Sequence, residues 1–124
     1  MSTPLFKILI FLKRRSGMSS IAFRDYYEGV HSKFGEKYAD GLHRYLRRYV
    51  EPLADDLVSH AEALDFDVIT ELWFTDRAAF DLVVKYAAHG RLPPEVIEDE
   101  ARLFDRGKMR YVTVVEREST LPAS

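Results

Sequence analysis

Two stretches of this chain, LFKILIFLKR (residues 5–14) and FDVITELWF (residues 66–74), have the composition and length of strands and are apolar on both faces. In the first, Phe6, Ile8, Ile10 and Leu12 line one face and Leu5, Leu9 and Phe11 the other, broken only by Lys7 and Lys13. In the second, Phe66, Val68, Thr70, Leu72 and Phe74 oppose Asp67, Ile69, Glu71 and Trp73. A sheet with helices on one side and water on the other alternates cleanly and turns a polar face outward. Two apolar faces call for two covers. The simplest second cover is the same sheet of another copy, so a homodimer joined through its sheet faces is expected.

Each of these strands leads into an amphipathic helix. After the first, Ser16-Gly17 makes a turn, Ser19 or Ser20 supplies an N-cap, and Phe23, Tyr27, Val30 and Phe34 recur at helical spacing. Gly35 and Gly41 are read as the weakening and end of that helix. RYLRRYV (44–50) alternates as a second strand closed by Pro52, and residues 54–64 form a connection. After the strand at 66–74, Thr75-Asp76 caps a helix running through Phe80, Val83, Val84 and Ala87 to Gly90. Pro93-Pro94 opens a further helix to about Asp105, and MRYVTVVE (109–116) is the last strand. Ala22-Phe23 and Ala79-Phe80 stand at matching places in the two halves. The order β-α-β then β-α-α-β predicts an α+β ferredoxin-like βαββαβ plait, an antiparallel four-stranded sheet with helices on one face and an extra helix before the last strand. Residues 1–124 are read as one domain, with its core at about 5–116 and 117–124 as a loose tail.

Composition narrows the function. A net charge of −2, from 18 basic and 20 acidic residues, leaves no global field for nucleic acid or an anionic membrane. The local clusters Lys13-Arg14-Arg15 and Arg44, Arg47-Arg48 read as solvated strand ends. The longest apolar run, Ile8 to Leu12, is far short of the ~20 residues of a membrane span. The N-terminal MSTPLFKILIFLKRR carries its charges after the apolar run and is not read as a secretory signal. With no cysteine, disulfides, zinc-thiolate sites and thiol nucleophiles are excluded, and a cytoplasmic location is expected. There is no P-loop, GxGxxG or GxSxG. His43, His60 and His89 have no partner at metal-ligand spacing, so no metal is expected. The βαββαβ order is shared with RNA-binding RRM domains, but FDVITELWF lacks their basic and aromatic RNP1 pattern and carries acids, so RNA is set aside.

The candidate chemistry lies on two helices. On a wheel of about 100° per residue, His31 falls at the border of the stripe set by Phe23, with Tyr27 one turn behind it on the same flank. It is either a satisfied border histidine or a pocket residue able to exchange a proton near neutral pH beside a phenol. On the late helix Glu100 falls inside the apolar arc with Val96 and Leu103, while Glu95, Glu98, Asp99 and Asp105 are placed on the opposite side. A carboxylate facing a core is costly unless paired. Glu100 is therefore either half of an ion pair, with Arg47 or Arg106, or a pocket acid that orients His31 or meets a ligand. Tyr45, Tyr49, Glu71 and Trp73 are strand residues that either pack or line the same cavity.

The stretches FLKRRSGMSSIAFRDYYEGVH, RYLRRYVEP, FDVITELWFTDRAAFD and EDEARLFDRGKMRYVTVVE together resemble an EthD-domain protein of the dimeric α/β-barrel superfamily, most specifically in FRDYYEGVH and DEARLFD. The resemblance implies a ferredoxin-like protomer, sheet-to-sheet pairing into a barrel, and a ligand pocket between sheet and helices. It makes His31 the helix-one histidine of the family and puts Asp99, Glu100, Phe104 and Asp105 in its acidic helix motif. Such a fold hosts many reactions. The expectation is a lyase-type or cyclase-type enzyme without cofactor, acting by dehydration, decarboxylation or aldol-type cyclisation on an apolar oxygenated or aromatic, polyketide-like compound. His31 would be the general acid/base, Tyr27 would hold a substrate oxygen, and Glu100 would orient His31 or bind the ligand, with Tyr26, Tyr45, Trp73 and Phe104 as aromatic walls. The alternative is a non-catalytic binding protein for a hydrophobic metabolite; a monooxygenase or a haem protein with His31 as axial ligand comes third.

Overall fold

A computed structural model describes residues 5–38, 40–53 and 64–123. His60 and nearly all of the 54–64 connection lie outside the described residues. Strands β1 (Phe6–Leu12), β2 (Leu42–Tyr49), β3 (Val68–Phe74) and β4 (Arg110–Val112) form one antiparallel sheet in the order β2-β3-β1-β4. This is the ferredoxin-like arrangement the alternation of elements predicts. Helices α3 (Arg77–Ala88) and α4 (Pro94–Leu103) follow β3, so the extra helix before the last strand is present. Asp76 caps α3 through the Ala78 amide at 3.0 Å, and Pro94 opens α4 where a missing N–H costs nothing. Among the described residues no helix is long and apolar enough to cross a membrane.

β4 is shorter than the expected 109–116. Its ladder stops at Val112, and the Lys7 carbonyl on β1 instead accepts from the Thr113 hydroxyl at 2.8 Å. β3 starts two residues later than expected, at Val68; Asp67 just before it is still tied to the sheet, its amide donating to the Leu12 carbonyl at 2.9 Å and its carboxylate accepting from the Arg14 amide at 2.8 Å.

The first helix departs from regular geometry where it matters. Ser19 caps it through the Ala22 amide at 3.1 Å; α1 (Ser20–Tyr26) then runs into a π-helical turn, Tyr27–His31, and on through α2 (Ser32–Lys37). The Ser32 amide reaches back five residues to the Tyr27 carbonyl. A π turn accommodates one more residue than an α turn and recurs at functional sites. The buried stripe is therefore Phe23, Tyr27, His31, each four apart, and Val30 is 41% exposed. The expectation that Val30 belongs to the stripe and His31 to its border is corrected: the wider turn rotates His31 inward and Val30 out. Gly35 does not end the helix. A Cβ there would stand 2.6 Å from Tyr45 Cζ, so glycine lets the Tyr45 ring lie against α2.

The helices cover the sheet face that carries Ile8, Leu12, Val68, Thr70 and Phe74. There Leu12, Val68, Phe23, Tyr27, Leu103 and Phe104 close into the core. The opposite face carries Leu9, Phe11, Leu46 and Ile69, and also Trp73 with Lys7 4.0 Å and Arg44 4.9 Å from its ring centre. Glu71 on that face is 8% exposed beneath Arg48 and accepts from the Trp73 indole at 2.9 Å. No helix among the described residues covers this second apolar face.

Candidate active site

On α4, Val96, Asp99, Glu100 and Leu103 stand at i, i+3, i+4 and i+7 and therefore share one face. That face packs against the π turn, so two neighbouring acids enter the interior together: Asp99 is 2% exposed and Glu100 7%. Asp99 is fully engaged. One oxygen stands 2.8 Å from His31 Nδ1, the other accepts from the Tyr26 hydroxyl, and Arg102 Nη1 lies 3.6 Å away. The bond to Asp99 also raises the Tyr26 pKa.

A carboxylate only accepts, so the His31 proton sits on Nδ1 and the Nε2 lone pair is left free. Burial lowers the His31 pKa against the opposing pull of Asp99, so the ring is neutral at neutral pH. No buried side-chain nitrogen or oxygen among the described residues lacks a partner unless solvent reaches it. Nε2, which has no partner among them, is thus touched by solvent, although His31 as a whole is 8% exposed. The ring is held edge-on by Tyr27 and Phe104, both at 5.2 Å between centres.

Beside this pair a cavity of about 440 Å³ opens between the sheet and the helices, within the range of small-molecule sites. Its walls are mostly apolar, with Ile10, Leu72, Val83 and Val96 among them; Tyr27, Tyr45, Thr70, Tyr111 and Glu100 supply polar groups from the strands and the two helices, and Lys37, Tyr38, Asp40, Tyr86 and Arg91 also line it. Tyr27 is 2% exposed and bonds Thr70 Oγ1 at 2.6 Å. Burial drives its pKa well up, and burial does the same for Tyr45 and Tyr111, so all three remain phenols. Glu100 makes no ion pair among the described residues. Burial, assisted by the negative charge of Asp99 and opposed by Arg106, raises its pKa to about 7.

The structure therefore brings Tyr27, Tyr45 and Glu100 to one cavity and sets His31 immediately behind Tyr27. Four expectations are corrected. The group bonded to the His31 ring is Asp99, not Glu100, because the buried arc of α4 is centred on Val96 and Leu103 and includes both acids. Trp73 is not a wall: strand alternation puts it on the opposite face of the sheet, bonded to Glu71. Phe104, 3% exposed, packs in the core against Phe23, Tyr27 and His31 rather than lining the cavity. Tyr26 is likewise not a wall residue but a hydrogen-bond donor to Asp99. The residues with no place in the expected site are Thr70, Tyr111 and Tyr86, together with Asp99, which the resemblance put in the acidic motif but the helix wheel turned away from the interior. The signal for Asp99 was its spacing from Val96 and Leu103; that for Thr70 was its place among apolar residues on the inner face of β3. No three His, Asp or Glu side chains among the described residues group closely enough to hold a metal ion.

Comparison with known proteins agrees with the fold. No curated protein matches the chain in sequence. Among solved structures, a hypothetical protein of Arabidopsis thaliana superposes with a TM-score of 0.58 at 13% identity, over 94% of this chain and 91% of that one. An ethyl tert-butyl ether d (EthD) family protein from Bacillus halodurans gives 0.58 at 14% identity over 92% and 100%. A dimeric protein of unknown function and ferredoxin-like fold from Bacteroides fragilis gives 0.55 at 12% over 89% and 94%. The EthD domain model matches residues 15–107, a span that includes the π turn, the inner face of β3 and the acidic face of α4, and the chain belongs to the EthD domain family.

Proposed function

We propose that this chain is a small-molecule enzyme that works by proton transfer, of the lyase or cyclase type (dehydration, decarboxylation or aldol-type cyclisation), on an apolar oxygenated compound held between sheet and helices. The observation that carries the reading is the Asp99–His31 pair: a neutral imidazole with its proton fixed on Nδ1 and its Nε2 free, beside an apolar cavity. In this reading Nε2 takes a proton from the substrate directly or across one water. Tyr27 holds the substrate oxygen: its hydroxyl pairs with Thr70 Oγ1, either of which can be the donor, and when Thr70 donates the phenol proton is free for the ligand. Asp99 acts through His31 as a positioning residue. Loss of a general base typically costs ~100 to 10,000-fold in rate. His31→Ala is expected to lose that much turnover on a substrate found by screening, and near-wild-type turnover would end the assignment.

A second reading, a binding protein without chemistry, is favoured by one observation: the cavity wall includes Tyr27 and Glu100 but not His31. Ligands that raise the melting temperature yet are recovered unchanged by mass spectrometry would support it.

The uncovered sheet face supports a homodimer. Leu9, Phe11, Leu46 and Ile69 form an apolar patch there that water covers poorly, and the Bacteroides protein of similar fold is described as dimeric. Light scattering at micromolar concentration is expected to give twice the chain mass, and a mass of one chain contradicts the pairing.

A further inference from the structure

Glu100 has no role in holding the fold together that its contacts would explain. It is 7% exposed, forms part of the cavity wall, and has no hydrogen bond or ion pair to its carboxyl among the described residues, while its oxygens remain open to the cavity. A buried carboxyl left without a partner is costly, and one aimed into a cavity is completed by what the cavity holds. The groups around it decide what that is. Asp99 stands beside it on α4 and contributes negative charge; Arg106, in the turn after α4, contributes the opposing positive charge. Tyr111 faces it from β4, the hydroxyls of Tyr27, Tyr38, Tyr45, Thr70 and Tyr86 also belong to the wall, and Lys37, Asp40 and Arg91 line the cavity as exposed charges. Of those three, Lys37 is taken by Glu95 at 2.8 Å. An anionic head group placed against Glu100 would leave water for an apolar site and meet two acids, Glu100 and Asp99, offset by Arg106 and by Arg91 at the exposed part of the wall. A neutral carbonyl oxygen would meet a carboxylic acid and several phenols, all able to donate.

We propose that Glu100 binds the ligand as an uncharged carboxylic acid, donating a hydrogen bond to a carbonyl oxygen, and so selects neutral carbonyl compounds over carboxylates. This deepens the proposed function and rests on its premise that the cavity is a ligand site. The burial that raises the Glu100 pKa to about 7 makes the selection pH-dependent, because only the protonated acid can donate. Apparent affinity scales with the competent fraction, so affinity for a neutral ketone falls about 25-fold between pH 6.5 and pH 8.5. A cationic amine would show the opposite sign.

The test is a fluorescence titration of the full chain with three probes of one shape, 2-acetylnaphthalene, 2-naphthoate and 2-(aminomethyl)naphthalene, at both pH values. The expected result is that at pH 6.5 the ketone binds best and that it weakens about 25-fold at pH 8.5, while Glu100→Gln binds it equally at both, since an amide donates at every pH. Calorimetry of the wild type near pH 7.5 in two buffers of different ionisation heat is expected to show proton uptake on binding. Ketone affinity that is flat with pH, tightest binding at pH 6.5 by the naphthoate or the amine, or a Gln variant still weakening at pH 8.5 overturns the inference while leaving the cavity a ligand site. Failure of all three probes to bind overturns both.

Discussion

Replacing Asp99 with alanine is expected to lower the stability of the protein by about 3 kcal/mol, among the larger effects a single side chain can have here. Asp99 is 2% exposed and accepts from two side chains, His31 through Nδ1 and Tyr26 through its hydroxyl. Truncation leaves the His31 donor buried without an acceptor, which costs the desolvation of that group, and leaves a void beside Leu103 in a close-packed interior. Tyr26 lies nearer the surface and recovers a water. Asp99→Asn keeps the shape but can accept in one place where it now accepts in two, so its expected loss is roughly half as large. Urea unfolding of the two variants beside the wild type measures this. An alanine variant as stable as the parent would mean that Asp99 does not hold His31 in solution.

Glu100→Gln is expected to act in the opposite direction and only at high pH. The folded protein holds the Glu100 pKa at about 7 against an ordinary 4.5. Between these values the folded state binds more protons than the unfolded chain, so stability falls as pH rises from 4.5 to 7 and stays reduced above it. The penalty at pH 8 is up to about 3 kcal/mol, and the uncharged amide escapes it. His31 has the reverse sign: its folded pKa lies below 6.5, so its contribution is present above 6.5 and fades as pH falls. The Gln variant should therefore melt well above the wild type at pH 8 and with it at pH 4. Superimposable melting curves at every pH would show that Glu100 is not buried as a lone acid.

The sheet, its order and the caps at Ser19 and Asp76 were legible because each rests on a local signal, a period of two, a turn or a capping side chain. The open face was legible too, since the alternation that sets Trp73 and Glu71 opposite Thr70 is visible in FDVITELWF; counting Trp73 as a cavity wall ignored that alternation. The π turn was not. A wheel at constant angle has no place for the extra residue at Tyr27–His31, so it assigned the buried position to Val30 and the border to His31. On α4 the apolar Ile97 and Ala101 drew the predicted arc away from Asp99, although Ala101 is exposed and Asp99 lies within about 60° of Val96. Which acid meets the histidine depends on how α4 docks against the π turn, a tertiary fact that neither helix carries alone.

The proposed chemistry depends on the state of one imidazole, and nitrogen-15 NMR of the His31 ring reads it directly. The structure predicts a neutral ring at pH 7 with its proton on Nδ1, titrating below 6.5, and a loss of that single tautomer in Asp99→Asn. A ring that is cationic at pH 7, or that carries its proton on Nε2, would contradict the arrangement on which the proposed chemistry rests.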